Sequence, residues 1–321
     1  MGKLPAPEVT NDFPECPEQL FMDESKPSEF WSRHGITSPL GIALAEPAVV
    51  ALEKAFAIFS ASFDNAPEPK ETSGMIRCAL ENLSNRLYEQ AAGMLVCLGT
   101  GSAAAAETVA RTVIEGAFNL QFIVSKNHEA RLFAFFHQYL QEHDRKLRDW
   151  QQLENTRPKT PEQTKILAAI VSRQEAQQLM ADFVKGLGKG FGYDQPSTVA
   201  QYWPSSLFKR CEQMDKTGQY LTSYHRLSAS SHINAEETIR WLLGIHHAVV
   251  GNDPELPKKL SVETVSFSAL MTRIAVVHYI EANVATCHAL DAKYNQVLLR
   301  EIMARLTKSI DDIAQDAGAP T

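Results

Sequence analysis

From Ala48 onward, apolar residues recur along this chain at steps of three and four, the spacing of helices with one buried face. Helices are predicted over 48–63 and about 73–98, where Ile76, Leu80, Leu83 and Leu87 form the stripe. Gly99-Thr100-Gly101 breaks the second, and Ser102 is placed to cap a third that runs to about Ser125. A fourth covers 128–155. Thr160 then caps a helix opening on Pro161, since proline lacks only an N–H that the first turn leaves unused. That helix is predicted to end near Gly186. Shorter helices are predicted near 205–215, 218–231 and 235–243, and a long one over 261–316, bent or broken near Asp291. Sustained strand-type alternation is absent, so the expected fold is all-α, a multi-helix bundle.

Two stretches carry no such period. Nine of the sixteen prolines lie before residue 70, and residues 1–47 read as an irregular Pro-rich N-terminal arm. Phe30, Trp31, Leu40 and Ile42 could dock this arm on a single helical domain of residues 48–321. The second stretch is Gly186-Leu187-Gly188-Lys189-Gly190-Phe191-Gly192. It has the glycine spacing of a phosphate loop, but such loops follow a strand, and here a helix precedes it, so a flexible linker is predicted.

Composition narrows the function. Hydrophobic residues make up 44% and charged residues 21% of the 321, enough apolar material for an ordinary core. The net charge of −7 speaks against a surface that tracks phosphate backbones. Five cysteines at long spacings, with no Cys-x-x-Cys, suggest reduced, mostly buried thiols rather than disulfides or a zinc knuckle. The N-terminus has no leader-type apolar stretch. The most apolar run, Ala91 to Ala106, is too short and too interrupted to span a bilayer. The expectation is a cytoplasmic protein without membrane contact. No His-Glu-x-x-His or Glu-x-x-His pair occurs, so neither a metal site nor a cofactor is expected.

Two polar groups do not fit a bland bundle. With about 100° per residue, Arg111, Glu115 and Asn119 lie within a narrow arc of the 102–125 helix, and apolar residues fill most of the rest. Arg111 and Glu115 are therefore expected to be largely buried. Tyr224, Ser228 and His232 also step by four and share one helical face. Asn234 with Glu237 has the form of a helix start, which puts His232 at the preceding helix's C-terminal end, where the dipole favours imidazolium. The two rows complement each other and are expected to form one polar centre, either a structural seam or a site for an unknown ligand or protein partner.

These groups carry a family resemblance. Ala110-Arg111-Thr112-Val113-Ile114-Glu115-Gly116 resembles the Arg-x-x-x-Glu helix of the domain-of-unknown-function family 5677. Ala130-Arg131-Leu132-Phe133-Ala134-Phe135-Phe136, Trp203-Pro204-Ser205-Ser206-Leu207 and the Tyr224, Ser228, His232 row follow in the family's order. The resemblance covers roughly 80–243 and implies an all-helical fold with a polar centre, but no reaction.

A looser resemblance is to the HEPN superfamily of metal-independent ribonucleases, marked by Arg and His a few residues apart, as in Arg226 and His232. It implies RNA as substrate, His232 and Arg226 as catalytic residues at the 2′-hydroxyl and the phosphorane, a toxin or antiviral role, and a site completed across a homodimer. Three features depart from it. Leu227 stands where a polar residue is usual, the acidic chain does not attract RNA, and on an unbroken helix Arg226 and His232 lie about 240° apart.

Overall fold

The computed structural model describes residues 25–35, 42–67, 71–227, 235–250 and 255–316. Among these no strand occurs, and the fold is all-α. The helices are α1 (Ser25–Arg33), α2 (Ile42–Asp64), α3 (Glu71–Gly99), α4 (Ala103–Ser125), α5 (His128–Asn155) and α6 (Pro161–Lys189). The short α7 (Pro196–Val199), α8 (Leu207–Gln213) and α9 (Thr217–Gln219) follow, and α9 runs on into a π-helical turn, Tyr220–His225. The chain ends in α10 (Ala235–Val249), α11 (Leu256–Ala289) and α12 (Gln296–Asp316).

The ends of these helices follow local chemistry. Thr160 Oγ1 accepts from Gln163 N at 3.1 Å, with Pro161 in the first turn of α6. Asn295 Oδ1 accepts from Leu298 N at 3.0 Å at the start of α12, and Asp291 takes a left-handed φ of 52° in the break before it. Ser102 precedes α4 but makes no side-chain cap. The last turn of α4 is closed instead by Arg131 of α5, which donates to the Phe122 carbonyl at 2.6 Å and lies over the Phe122 ring.

The centre of the fold is α4, packed between α3 and the long α11, with α2 also against α3 and α11. Phe118, Phe122, Ile114, Leu80, Leu95 and Tyr279 are fully buried there. By length and composition α11 could cross a membrane; in this fold its residues Met271, Val276, Tyr279 and Ile280 are core. The hydroxyls of α11 and Asn283 are no obstacle to burial because they donate to the helix backbone, as the Thr286 hydroxyl does to the Ala282 carbonyl at 2.9 Å.

Three expectations change. Part of the proline-rich arm is helical: α1 lies within it, and α2 begins at Ile42 with Pro47 inside the helix. Phe30 and Trp31 do dock it, both buried, and Trp31 fits because Gly99 has no side chain; a Cβ there would come within 2.5 Å of the indole. Arg33 adds a bond to Glu53 at 3.1 Å, and Glu53 also accepts from Tyr88. Second, the glycine-rich stretch is no linker. α6 continues to Lys189, Gly192 turns the chain at φ 75°, and Phe191 and Tyr193 pack against Phe133. Third, the thiols divide: Cys211 and Cys287 are buried, Cys97 is partly buried and Cys78 is exposed, while Cys16 lies outside the described residues.

Candidate functional site

Helix α4 presents Arg111 and Glu115 one turn apart, both half-buried rather than largely buried as expected. The reason is the neighbour they meet. The element opposite is the short segment 217–227, which covers them only in part. From it, the Tyr224 hydroxyl donates to Glu115 Oε2 at 3.0 Å and accepts from Arg111 Nη2 at 3.1 Å. The guanidinium also lies 5.2 Å from the centre of the Tyr224 ring. A phenol is suited to this place because it both donates and accepts, and so can join a cation to an anion. The expected meeting of the two polar rows is thus present for Arg111, Glu115 and Tyr224.

The π turn makes this possible. It widens the helix so that neighbours in sequence bear on different helices. Tyr224 reaches α4, whereas Ser223, buried, meets His278 of α11 at 3.2 Å (Oγ to Nε2). His278 sits in turn 3.6 Å from Glu281, to which Lys216 is bound at 2.8 Å. Burial by itself would raise the Glu281 carboxyl, but the neighbouring His278 and Lys216 outweigh it and hold it at about 2. Arg210 lies on the far side of the cluster. It is buried, stacked over Trp203 at 4.6 Å and bonded to the Pro204 carbonyl at 2.7 Å. Desolvation lowers its pKa, partly offset by the charge of Glu115.

The remaining candidates fall elsewhere. Asn119, one turn beyond Glu115, has rotated away and lines a pocket of about 160 Å³ with Leu83, Arg86 and Phe135. Arg226 is exposed, its guanidinium 4.8 Å from the centre of the Phe267 ring on α11 and not among the cluster residues. Ser228, His232 and Asn234 lie outside the described residues, and with them the Arg226–His232 pair and the Glu115–His232 separation.

One residue escaped sequence reasoning. Glu107 is buried one turn before Arg111, making a row Glu107, Arg111, Glu115 on α4, and accepts from the buried Ser268 hydroxyl of α11. Its signal was present as a fourth member of the four-residue step, one turn before Arg111.

Two larger pockets are not lined by Arg111, Glu115 or Tyr224: one of about 400 Å³ between α11 and α12 is lined by Glu281 together with Tyr294 and Arg300, and one of about 330 Å³ lies between α2 and α12 beside Lys54 and Arg305. Among the described residues no group of three or more His, Cys, Asp or Glu is arranged to hold a metal ion.

An all-α protein whose half-buried Arg–Tyr–Glu bridge ties a central helix to a downstream π turn is the class defined so far. The model of the family of unknown function DUF5677 matches residues 78–243, more than half of the chain, and the chain belongs to that family. The match runs from α3 into α10 and includes Arg111, Glu115 and Tyr224, as well as Arg131 and Trp203. No match to the chain is found among the curated proteins or among the solved structures.

Proposed function

We propose that this chain works by binding, not by hydrolysis, and that its central polar cluster is a latch fixing the 217–227 segment on α4. The supporting observation is the Tyr224 hydroxyl, which donates its proton to Glu115 and accepts from Arg111. A general acid or base needs a free proton position facing substrate, and this phenol faces two fixed partners. Arg111, Glu115 and Tyr224 line none of the pockets described above or the one beside Trp203 and Glu142; Asn119 lines one and Glu281 another. Arg226, the cation of the ribonuclease alternative, is turned toward Phe267.

The test is incubation of the purified chain with mixed RNA in chelator, beside His232→Ala. The expected result is that both leave RNA intact. Cleavage by the parent chain that His232→Ala abolishes would overturn the proposal in favour of the ribonuclease.

A further inference from the structure

The pocket of about 400 Å³ between α11 and α12 holds two opposite charges that the fold leaves partly unused. Its walls are apolar. Ile280 and Val284 of α11 and Leu299 and Met303 of α12 line it, each pair one helical turn apart and so on one face. Glu281 joins them from α11. Lys216 and His278 both approach its Oε2, at 2.8 and 3.6 Å. Among the described residues nothing bonds to Oε1. The carboxyl titrates at about 2, so it is an anion at neutral pH. Arg300 joins from α12. It is exposed, and among the described residues it pairs with no carboxylate. Apolar walls with a few placed polar groups are the common form of a small-molecule site, and the volume lies at the lower end of the range of roughly 300–1,000 Å³ for such sites.

We propose that this pocket binds a small zwitterion with an apolar body, of the size of an apolar dipeptide, its ammonium on Glu281 and its carboxylate on Arg300. Charge selects this class. A ligand carrying only a cation would gain Glu281 but meet the like charge of Arg300. A ligand carrying only an anion would gain Arg300 but meet Glu281. A neutral apolar molecule would leave both charges beside it without partners, at a cost in desolvation. A molecule with both charges satisfies each, and the guanidinium fork matches a carboxylate in shape. The apolar body then covers Val284 and Met303, which are only partly buried. Lys216 keeps its place on Oε2, because the ammonium takes the other oxygen. The site shares only Glu281 with the cluster around the 217–227 segment. It goes beyond the latch proposed above, and RNA cleavage or its absence leaves it standing.

The experiment is isothermal titration calorimetry on the full chain at pH 7 with leucyl-leucine, beside its N-acetyl form, which lacks the cation, and its C-terminal amide, which lacks the anion. The proposal expects leucyl-leucine to bind with a Kd of about 1 mM or below. Each blocked form should bind about tenfold or more weakly, the loss of one charge-assisted contact. Arg300→Gln alters an exposed side chain and should weaken leucyl-leucine by about the same factor while leaving the amide no weaker than before. Should Arg300→Gln fail to fold, Val284→Trp, which fills the pocket from α11, gives a second measurement and should abolish binding of leucyl-leucine. A parent chain that takes up no leucyl-leucine at a ligand concentration of about ten times that Kd overturns the proposal. Equal binding of the three ligands overturns it too, since the charges would then play no part. So does binding that both substitutions leave unchanged, because the ligand would then lie elsewhere.

Discussion

Tyr224 donates to the Glu115 carboxylate at 3.0 Å across 109 residues of sequence, and the same oxygen accepts from Arg111. The bond closes the gap between α4 and the π turn. Tyr224→Phe keeps the ring over Arg111 and removes only the hydroxyl. It should cost about 1–2 kcal/mol, the range of a hydrogen bond to a charged group that stays partly solvated. Urea denaturation measures it, and a loss under about 0.3 kcal/mol would mean that water replaces the phenol without penalty.

Glu107 is deeper than either of its neighbours on the row. Glu107→Ala should cost about 2–4 kcal/mol, since it removes a buried carboxylate and the acceptor of the Ser268 hydroxyl. Glu107→Gln, which keeps an acceptor oxygen, should cost less. Equal melting temperatures for the two variants would contradict this role.

The Glu281 carboxyl, held at about 2, makes stability depend on pH. In the unfolded chain the group titrates near 4.3, so folding lowers its pKa. Its contribution is therefore complete above about pH 5 and is lost as pH falls toward 2, and amounts to roughly 2–3 kcal/mol. Denaturation at pH 6, 4 and 3 should show the parent chain losing more stability on acidification than Glu281→Gln. Parallel pH profiles for the two would remove Glu281 from the account.

At Gly188 a Cβ would lie 2.6 Å from the Tyr193 carbonyl oxygen, a backbone atom that also meets His137 Nε2 at 3.0 Å. Gly188→Ala should destabilise by about 1–3 kcal/mol, although alanine is the better helix former. Gly186 has open space at its Cβ position, so Gly186→Ala should be neutral or slightly stabilising. A thermal melt of each separates them, and the reverse order would mean that the stretch is a linker after all.

Much of this fold is legible along the chain because its helices carry strong local signals. The bounds of α5 and the capped start of α6 follow from periodicity, Thr160 and Pro161, and the break near Asp291 falls where the sequence predicts it. Of the candidate site, Arg111, Glu115 and Tyr224 are legible because four-residue spacing marks a shared face. What was missed depends on contacts that spacing does not encode. The π turn changes the register after Gln219, so Ser223 turns to His278, a pairing across 55 residues that an ideal wheel does not place. Asn119 leaves the site because each four-residue step rotates about 40° further round the helix. α1 was hidden because proline was read as irregularity, although Pro27 falls in a first turn, where its missing N–H costs nothing.

The central claim is that Tyr224 and Glu115 act on each other, and a double-mutant cycle tests it most directly. Tyr224→Phe, Glu115→Gln and the double variant are compared with the parent chain by urea denaturation at pH 7. A latch predicts a coupling energy of about 1–2 kcal/mol, the double variant being hardly less stable than the worse single one. Additive losses, with coupling within about 0.3 kcal/mol of zero, would contradict it.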